Sequence, residues 1–192
     1  AGLGSTAVVA DAVSSAMNAY AAAGLTAAEA TDVLIATARA GKAEPEQLAA
    51  SLGRVLPLAS ELGVTFQDVG GSIAALSLSG NDAAQASTLL TNVLSKILKP
   101  SKQGADALAD VGLSAEKLRG MIADKGLLGT LQELREKLGT SGFVKLFEDA
   151  QAVQGVLALT GQNADQVAKA FDEVAGSAGA TESAFATWAD SM

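Results

Sequence analysis

The chain has 192 residues, with 13 Lys+Arg against 21 Asp+Glu, a formal net charge of −8, 49% apolar residues and a mean hydropathy of +0.30. This length and apolar content can bury a sizeable core and argue against intrinsic disorder. Cys and His are both absent, which excludes disulfides, thiol nucleophiles, histidine-based catalysis and the commonest metal ligand. The excess of acidic over basic residues and an aromatic content of only 4% argue against nucleic-acid binding.

The N-terminal part of the chain predicts neither a membrane span nor a secretory signal. The longest uncharged run, Ala12–Ala28, carries polar side chains and is broken at Gly24. No basic region precedes an apolar core. Because the chain begins at Ala1 rather than Met and ends soon after Trp188, we expect it to be a fragment of a longer protein.

Helical periodicity recurs along the chain, and no segment alternates with a period of two. The sequence therefore predicts an all-α fold, a compact orthogonal array of roughly eight to ten short helices joined by Gly/Pro turns. The first helix, over about 5–23, is expected to turn one face to the core, formed by Val9, Val13, Met17 and Tyr20.

A Gly-(Leu/Val)-(Thr/Ser) motif occurs three times, at 24–26, 63–65 and 112–114. A glycine suits the left-handed residue after a helix, and a hydroxyl side chain suits the cap of the next one. Each motif thus predicts a helix end followed by a helix start. A further helix is expected to begin at Pro45 and to kink at Pro57, with Gly53 easing the bend.

The second half of the chain predicts further helices after a helix that runs to about Leu98. Pro100–Gly104 is the best linker candidate within a single helical domain, 1–192, and would divide it into sub-lobes 1–99 and 105–192. Residues 113–126 are expected to form short helices and turns. Three apolar stripes follow: Leu127, Leu131, Leu134 and Leu138; Phe143, Phe147, Ala150, Val153 and Leu157; and Val167, Phe171 and Val174.

Two short motifs resemble catalytic or binding signatures. Ser114-Ala-Glu-Lys117 matches the Ser-x-x-Lys of acyl-transfer enzymes, but its position after Gly112 favours helix capping. Gly126-Leu-Leu-Gly129 matches a nucleic-acid-binding GxxG loop, but a loop before a leucine-striped helix is favoured. The closest carboxylate pairs are interpreted as solvated faces: Glu44/Glu46, Glu133/Glu136 and Glu148/Asp149. No catalytic residue, metal site or cofactor is predicted, and the chain is not expected to be an enzyme.

Two groups of residues are candidates for an interface. A basic cluster lies at a helix end and consists of Lys96, Lys99 and Lys102. One interpretation is favourable placement at the negative end of the helix dipole, and the alternative is a contact patch for an acidic partner. Phe185 and Trp188 lie three residues apart near the C-terminus, where they complete a core or form an interface.

The stretch from about Ala10 to Leu98 resembles the core region of phage tail tape-measure proteins of the minor-tail family. The order and spacing of its blocks carry the resemblance, and Lys99–Leu138 follows more loosely. The main blocks are Ala10-Asp-Ala-Val, Asn18-Ala-Tyr, Gly24-Leu, Ala30-Thr-Asp-Val-Leu, Ala40-Gly-Lys, Leu48-Ala-Ala-Ser-Leu-Gly-Arg-Val-Leu-Pro-Leu-Ala, Glu61-Leu-Gly-Val-Thr, Ala74-Ala-Leu-Ser and Leu89-Leu.

The resemblance implies a structural component of a phage or prophage tail that acts in assembly and length determination. It implies a place in the lumen of the tail, assembly in the host bacterial cytoplasm, and partners among the tail tube, tail tip and tail assembly chaperone proteins. It also implies a homo-oligomer, a trimer or a multiple of three. The alternative is a helical protein-interaction module, an adaptor or a secreted effector, whose likeness reflects alanine-rich helices.

Overall fold

A computed structural model describes residues 6–161 and 163–189, which form helices joined by turns and short loops, with no strand among them. The all-α prediction is confirmed. With Pro45–Ser51 and Val55–Leu62 counted as one helix interrupted by a 3₁₀ turn, Leu52–Arg54, the described residues form ten helices. The elements are α1 (Thr6–Ala19), α2 (Ala27–Ala40), α3 (Pro45–Ser51), α4 (Val55–Leu62), α5 (Phe66–Leu78), α6 (Ala83–Leu98), α7 (Lys102–Asp110), α8 (Ala115–Phe147), α9 (Ala150–Thr160), α10 (Ala164–Ala175) and α11 (Ala180–Ala189).

The three glycine motifs separate helices as predicted. Their glycines adopt left-handed φ angles of 74°, 75° and 72°, at Gly24, Gly63 and Gly112. Two residues after each glycine, the side-chain hydroxyl oxygen accepts a backbone N–H from the first turn of the next helix. Thr26 accepts from Glu29, Thr65 from Asp68, and Ser114 from Lys117. Each motif therefore satisfies backbone groups at the end of one helix and at the start of the next.

The helix that we expect to kink at Pro57 is interrupted earlier, at the 3₁₀ turn between α3 and α4. The 3₁₀ turn contains Gly53 and ends directly before α4. Pro57 consequently lies in the first turn of α4, where its missing N–H removes no hydrogen bond within the helix. Pro45 is the first residue of α3, also as predicted.

Helix α5 forms the centre of the core, because every residue from Val69 to Ser77 is buried. It packs against α2, α6, α9 and α10. A Cβ atom added to Gly71 would lie 2.9 Å from Cγ and 3.0 Å from Cα of Phe171. The two adjacent glycines, Gly70 and Gly71, therefore allow α10 to approach the backbone of α5 closely.

The face of α1 that contacts the core differs from the prediction. Ala12, Ala16 and Tyr20 are buried, whereas Val9, Val13 and Met17 are only half-buried. Alanines let α1 approach its neighbours, so the larger side chains lie at the margin of the contact. Tyr20 does face the core as predicted, and its hydroxyl donates to the carbonyl of Val64 at 2.9 Å.

Residues 113–126 do not form the short helices and turns that we predicted. A regular helix begins at Ala115 and continues through Gly120. The helical path of α8 is instead broken at Gly126 and Gly139, which have φ angles of 74° and 60°. Of the leucine stripe after the first break, Leu127, Leu131 and Leu134 are fully buried and Leu138 partly so.

The predicted stripe from Phe143 to Leu157 is wrong as a single helix face. Helix α8 ends at Phe147, and Asp149 caps α9 by accepting N–H groups from its first turn. Helix α9 buries a different set of residues, Ala152, Val156 and Leu159, and leaves Leu157 exposed. The third stripe is confirmed, since Val167, Phe171 and Val174 are buried in α10.

The segment chosen as a linker joins α6 to α7. Ser101 is the N-cap of α7, so Lys102 to Gly104 are helical. Gly104 is buried, and a Cβ atom added there would lie 3.3 Å from the backbone of Leu146 in α8. One hydrophobic cluster extends from Ala12 to Val174. Within the described part of the chain, no helix combines the length and the apolar character needed to cross a bilayer.

Candidate interaction surface

The predicted lysine cluster lies at the junction of α6 and α7. Lys96 is in the last turn of α6, Lys99 follows that helix, and Lys102 is the first residue of α7. Lys96 Nζ lies 3.1 Å from Glu148 Oε1, and the other carboxylate oxygen of Glu148 accepts from Ser101 Oγ at 2.8 Å. Glu148 therefore ties the end of α8 to the junction.

Hydrogen bonding at this junction favours the ionised form of Glu148. The hydroxyl of Ser101 and then the ammonium of Lys96 hold the pKa of the Glu148 carboxyl below its usual range. Lys96 thus has an intramolecular partner, while Lys99 and Lys102 are exposed. Nine of the thirteen Lys and Arg residues lie between residues 96 and 147. The junction can offer cations to a carboxylate-bearing partner.

The predicted aromatic pair lies on α11, which packs against α2. Phe185 is 66% exposed. The side chain of Trp188 lies outside the described part of the structure. The lysines and Phe185 therefore occupy different helices, and their role as an interface stays a prediction.

Asp32 in α2 holds the N-terminus of α11. Its carboxylate accepts the backbone N–H groups of Gly179 and Thr181, both at 2.8 Å. Hydrogen bonds, first from Thr181 and then from Gly179, hold the pKa of Asp32 below its usual range. Sequence reasoning missed this contact because its two sides lie almost 150 residues apart, and an acidic residue on an amphipathic helix predicts only a solvated face.

A second carboxylate, Asp68, joins α5 to α8. Its Oδ2 atom accepts the N–H of Leu127 at 3.0 Å, directly after the break at Gly126. Burial raises the pKa of Asp68, although the hydrogen bonds from Leu127 and Thr65 partly offset that rise. The sequence contains no signal for this contact between Asp68 and α8.

The remaining motifs have structural roles. Ser114 Oγ accepts the N–H of Lys117, whose ammonium donates to the carbonyl of Gly112 at 2.7 Å, so capping explains the Ser-x-x-Lys match. Glu133 pairs with Lys137 at 3.4 Å, as i,i+4 spacing predicts, and also with Lys125 across the break. Among the described residues, no group of three or more acidic side chains could hold a metal ion.

Comparisons with known proteins agree on one family. A family model described as phage-related minor tail protein matches residues 1–147. The chain is 25% identical, over 98% of its length, to a protein of Pneumococcus phage Dp-1 named tape measure protein. It spans about 17% of that relative's length. No solved structure matches the chain significantly. The family match covers more than half of the chain, and the described residues form an all-α fold. The chain belongs to the phage-related minor tail protein family.

Proposed function

We propose that this chain is a helical module of a phage or prophage tape-measure protein that acts in tail assembly and length determination and has no catalytic role. The observation that carries the proposal is the alignment of nearly the whole chain with part of the Dp-1 tape measure protein. The all-helical fold and the family match to residues 1–147 support a structural role.

Within such a protein, this segment is a docking or folding module rather than the ruler. Its longest helix, α8, has 33 residues and is broken at Gly126 and Gly139. An unbroken helix of that length would span about 50 Å, at 1.5 Å per residue. The described helices instead pack around one hydrophobic cluster. The length of the tail would then be set by extended parts elsewhere in the protein.

The module would act in the tail lumen, after assembly in the host bacterial cytoplasm. Its partners would be tail tube, tail tip or tail assembly chaperone proteins, and further copies in a trimer or a multiple of three. It would contact neither nucleic acid nor membrane. The candidate contacts are the exposed lysines at the junction of α6 and α7 and the aromatic residues of α11: Lys99, Lys102, Phe185 and Trp188, with Lys96 positioned by Glu148.

In-frame deletion of the segment from its parent gene tests the docking role. If the segment is a docking module, its removal abolishes tail assembly or leaves tails of normal length. If it is part of an extended ruler, tails shorten by about 290 Å, which is 1.5 Å for each residue removed. Electron microscopy of particles measures this difference. A matched deletion from a continuous helical part of the same protein should shorten the tails.

The copy number of the protein in particles tests the tail role itself. Quantitative mass spectrometry of purified tails, scaled to the tube subunit, should find a few copies per particle. Absence from particles, with abundant protein in the cell, would contradict the proposal and favour an adaptor or effector. Replacing Lys99 and Lys102 by Glu should reduce tail yield if these lysines meet an acidic partner, whereas the exposed Lys42→Glu serves as the control.

A further inference from the structure

A cleft of about 480 Å³ lies between α7 and the C-terminal part of α8. Helix α8 changes direction at Gly139, and residues on both sides of that break, Leu138 and Gly142, line the cleft. On the opposite side the cleft is lined by Ala107 of α7 and by Val111, which directly follows that helix. Leu138 and Val111 are only half-buried, so apolar surface is accessible between the two helices.

Charged side chains of both signs line this α7–α8 cleft. Asp106 and Asp110 belong to α7, and Lys145 belongs to α8. Because Gly104 lies against the backbone of Leu146, Lys145 is placed beside the first turn of α7, whereas Asp110 is the last residue of that helix. The cleft is therefore basic at one end and acidic at the other.

Lys145 differs from the other cations of α8 in its contacts. Each of the other five lies near a carboxylate or a backbone carbonyl: Lys117, Arg119, Lys125, Arg135 and Lys137. Within the described part of the chain, Lys145, Asp106 and Asp110 form neither an ion pair nor a side-chain hydrogen bond. Both ends of the cleft can therefore pair with charges from outside the molecule.

The dimensions of the cleft suit a helix as its occupant. The nine residues of α7 span about 13 Å at 1.5 Å per residue. A second helix lying alongside presents residues i, i+3, i+4 and i+7 on one face, which covers about 10 Å. An acidic residue at i would then meet Lys145, apolar residues at i+3 and i+4 would cover Leu138 and Val111, and a basic residue at i+7 would meet Asp110. This order also suits the dipole of the occupant, whose N-terminal end favours the acidic residue.

We propose that the α7–α8 cleft is a docking groove for an amphipathic helix of a different protein, with an acidic residue followed on the same face, seven residues later, by a basic one. A solvent-exposed charge costs little when it is unpaired, so the groove is stable while empty, as an interface that forms and dissociates requires. The inference uses only the shape and the charges of the cleft and does not depend on the tail role.

Two dye-labelled peptides test the charge pattern of the groove. Each is an alanine-rich helix of about 14 residues with capped ends, long enough to be partly helical alone. The first carries Glu, then two Leu three and four residues later, then Lys seven residues after the Glu; in the second, Glu and Lys are exchanged. Fluorescence anisotropy with the whole chain in about 50 mM salt should give a Kd about tenfold lower for the first peptide. About 500 mM salt should reduce the preference to about twofold.

Exchanging the charges of the cleft localises the binding. The double variant Lys145→Glu, Asp110→Lys keeps the net charge and should reverse the preference, so that the second peptide binds more tightly. The matched control exchanges an exposed ion pair of α10, as Lys169→Glu, Glu173→Lys, and should keep the preference of the wild type. Circular dichroism of both variants verifies that the helical fold is retained.

Three results would overturn the proposal. Equal affinity of the wild type for the two peptides would show that the charges of the cleft select nothing. Binding of neither peptide up to about 1 mM would show that the cleft accepts no such helix. An unchanged preference in the cleft variant would place the peptide elsewhere on the molecule. The assay contains no tail component, so each of these results leaves the proposed function untouched.

Discussion

Glycine has opposite roles in α5 and α8. In α5, Gly70 and Gly71 lie within a regular helix. The missing side chain of Gly71 admits Phe171 of α10, and that of Gly70 admits Thr37 of α2 and Val174 of α10. In α8, Gly126 and Gly139 adopt nearly the same non-helical conformation, with φ of 74° and 60° and ψ of 177° and 179°. One helix uses glycine to bring a neighbour close, and the other uses it to change direction. The residue type alone therefore does not show which of the two roles a glycine has.

The largest expected effect comes from filling the close contact at α5. In Gly71→Ala, the new Cβ atom would lie 3.0 Å from the backbone Cα of Phe171, so α10 must move. Overpacking of this kind costs about 3 kcal/mol of unfolding free energy. Urea denaturation measures this loss of unfolding free energy. The control, Gly120→Ala, lies in an exposed turn of α8 with no atom within 4 Å of the added Cβ. It should stabilise the protein by about 0.5 kcal/mol, and equal losses in both variants would contradict the close contact.

The two breaks in α8 should differ from each other in their tolerance of alanine. Both need a backbone conformation that an L-residue adopts at a cost of about 1–3 kcal/mol. At Gly139 the added Cβ atom meets nothing within 4 Å, whereas at Gly126 it lies 3.1 Å from Asp68 Oδ2. Gly126→Ala should therefore destabilise more than Gly139→Ala in the same denaturation assay. A gain in stability at either position would mean that α8 prefers to run straight there.

Local signals in the sequence predicted much of the fold, and contacts between distant residues limited the rest. The motif at 63–65 contains the signals for a helix end, Gly63, and for a helix start, Thr65. The sequence alone therefore predicts the boundary between the two helices. The same local reasoning predicts short helices and turns over residues 113–126, because it cannot show that the helix continues through Gly120. It also assigned Val13 to the core face of α1, where the alanines make the closest contact.

The candidate interface was less predictable than the fold. The lysine cluster is visible in the sequence, but the pairing of Lys96 with Glu148 joins residues 52 positions apart. The contacts of Asp32 with α11 and of Asp68 with α8 depend in the same way on the assembled fold. A carboxylate that caps a distant helix has no sequence pattern of its own, since its partners are backbone N–H groups.

A smaller effect is expected at the start of α8, where the hydroxyl of Ser114 caps the helix. Ser114→Ala should lose about 1 kcal/mol of unfolding free energy, and Ser114→Gly only a few tenths. Thermal and urea denaturation measure both. Thr65→Ala at the start of α5 should lose a similar amount, because its hydroxyl makes the same contact with Asp68 N–H at 3.0 Å. A Ser114→Ala variant of unchanged stability would weaken the capping interpretation of the Ser-x-x-Lys motif.

The smallest expected effect concerns Asp68, where the two regions meet. Its pKa in the folded protein is raised above the ordinary value of 3.8, chiefly by burial. The unfolded chain therefore releases this proton first as the pH rises, so the contribution of Asp68 to stability is present at low pH. It is lost between the unfolded and the folded pKa. Asp68→Asn keeps an oxygen that can accept the N–H of Leu127 but removes the titration.

The difference in unfolding free energy between the wild type and Asp68→Asn should accordingly shift in favour of the wild type as the pH is lowered from 7 towards 4. Other carboxylates, such as Glu133 and Glu148, have lowered pKa values, so their contributions to stability are lost as the pH falls. These contributions are the same in the wild type and the variant, and they cancel when the two unfolding free energies are subtracted. Asp124→Asn, on the exposed face of α8, controls for the removal of one negative charge. A difference that does not vary with pH would mean that the carboxylate linking α5 to α8 is as well solvated in the fold as in the unfolded chain.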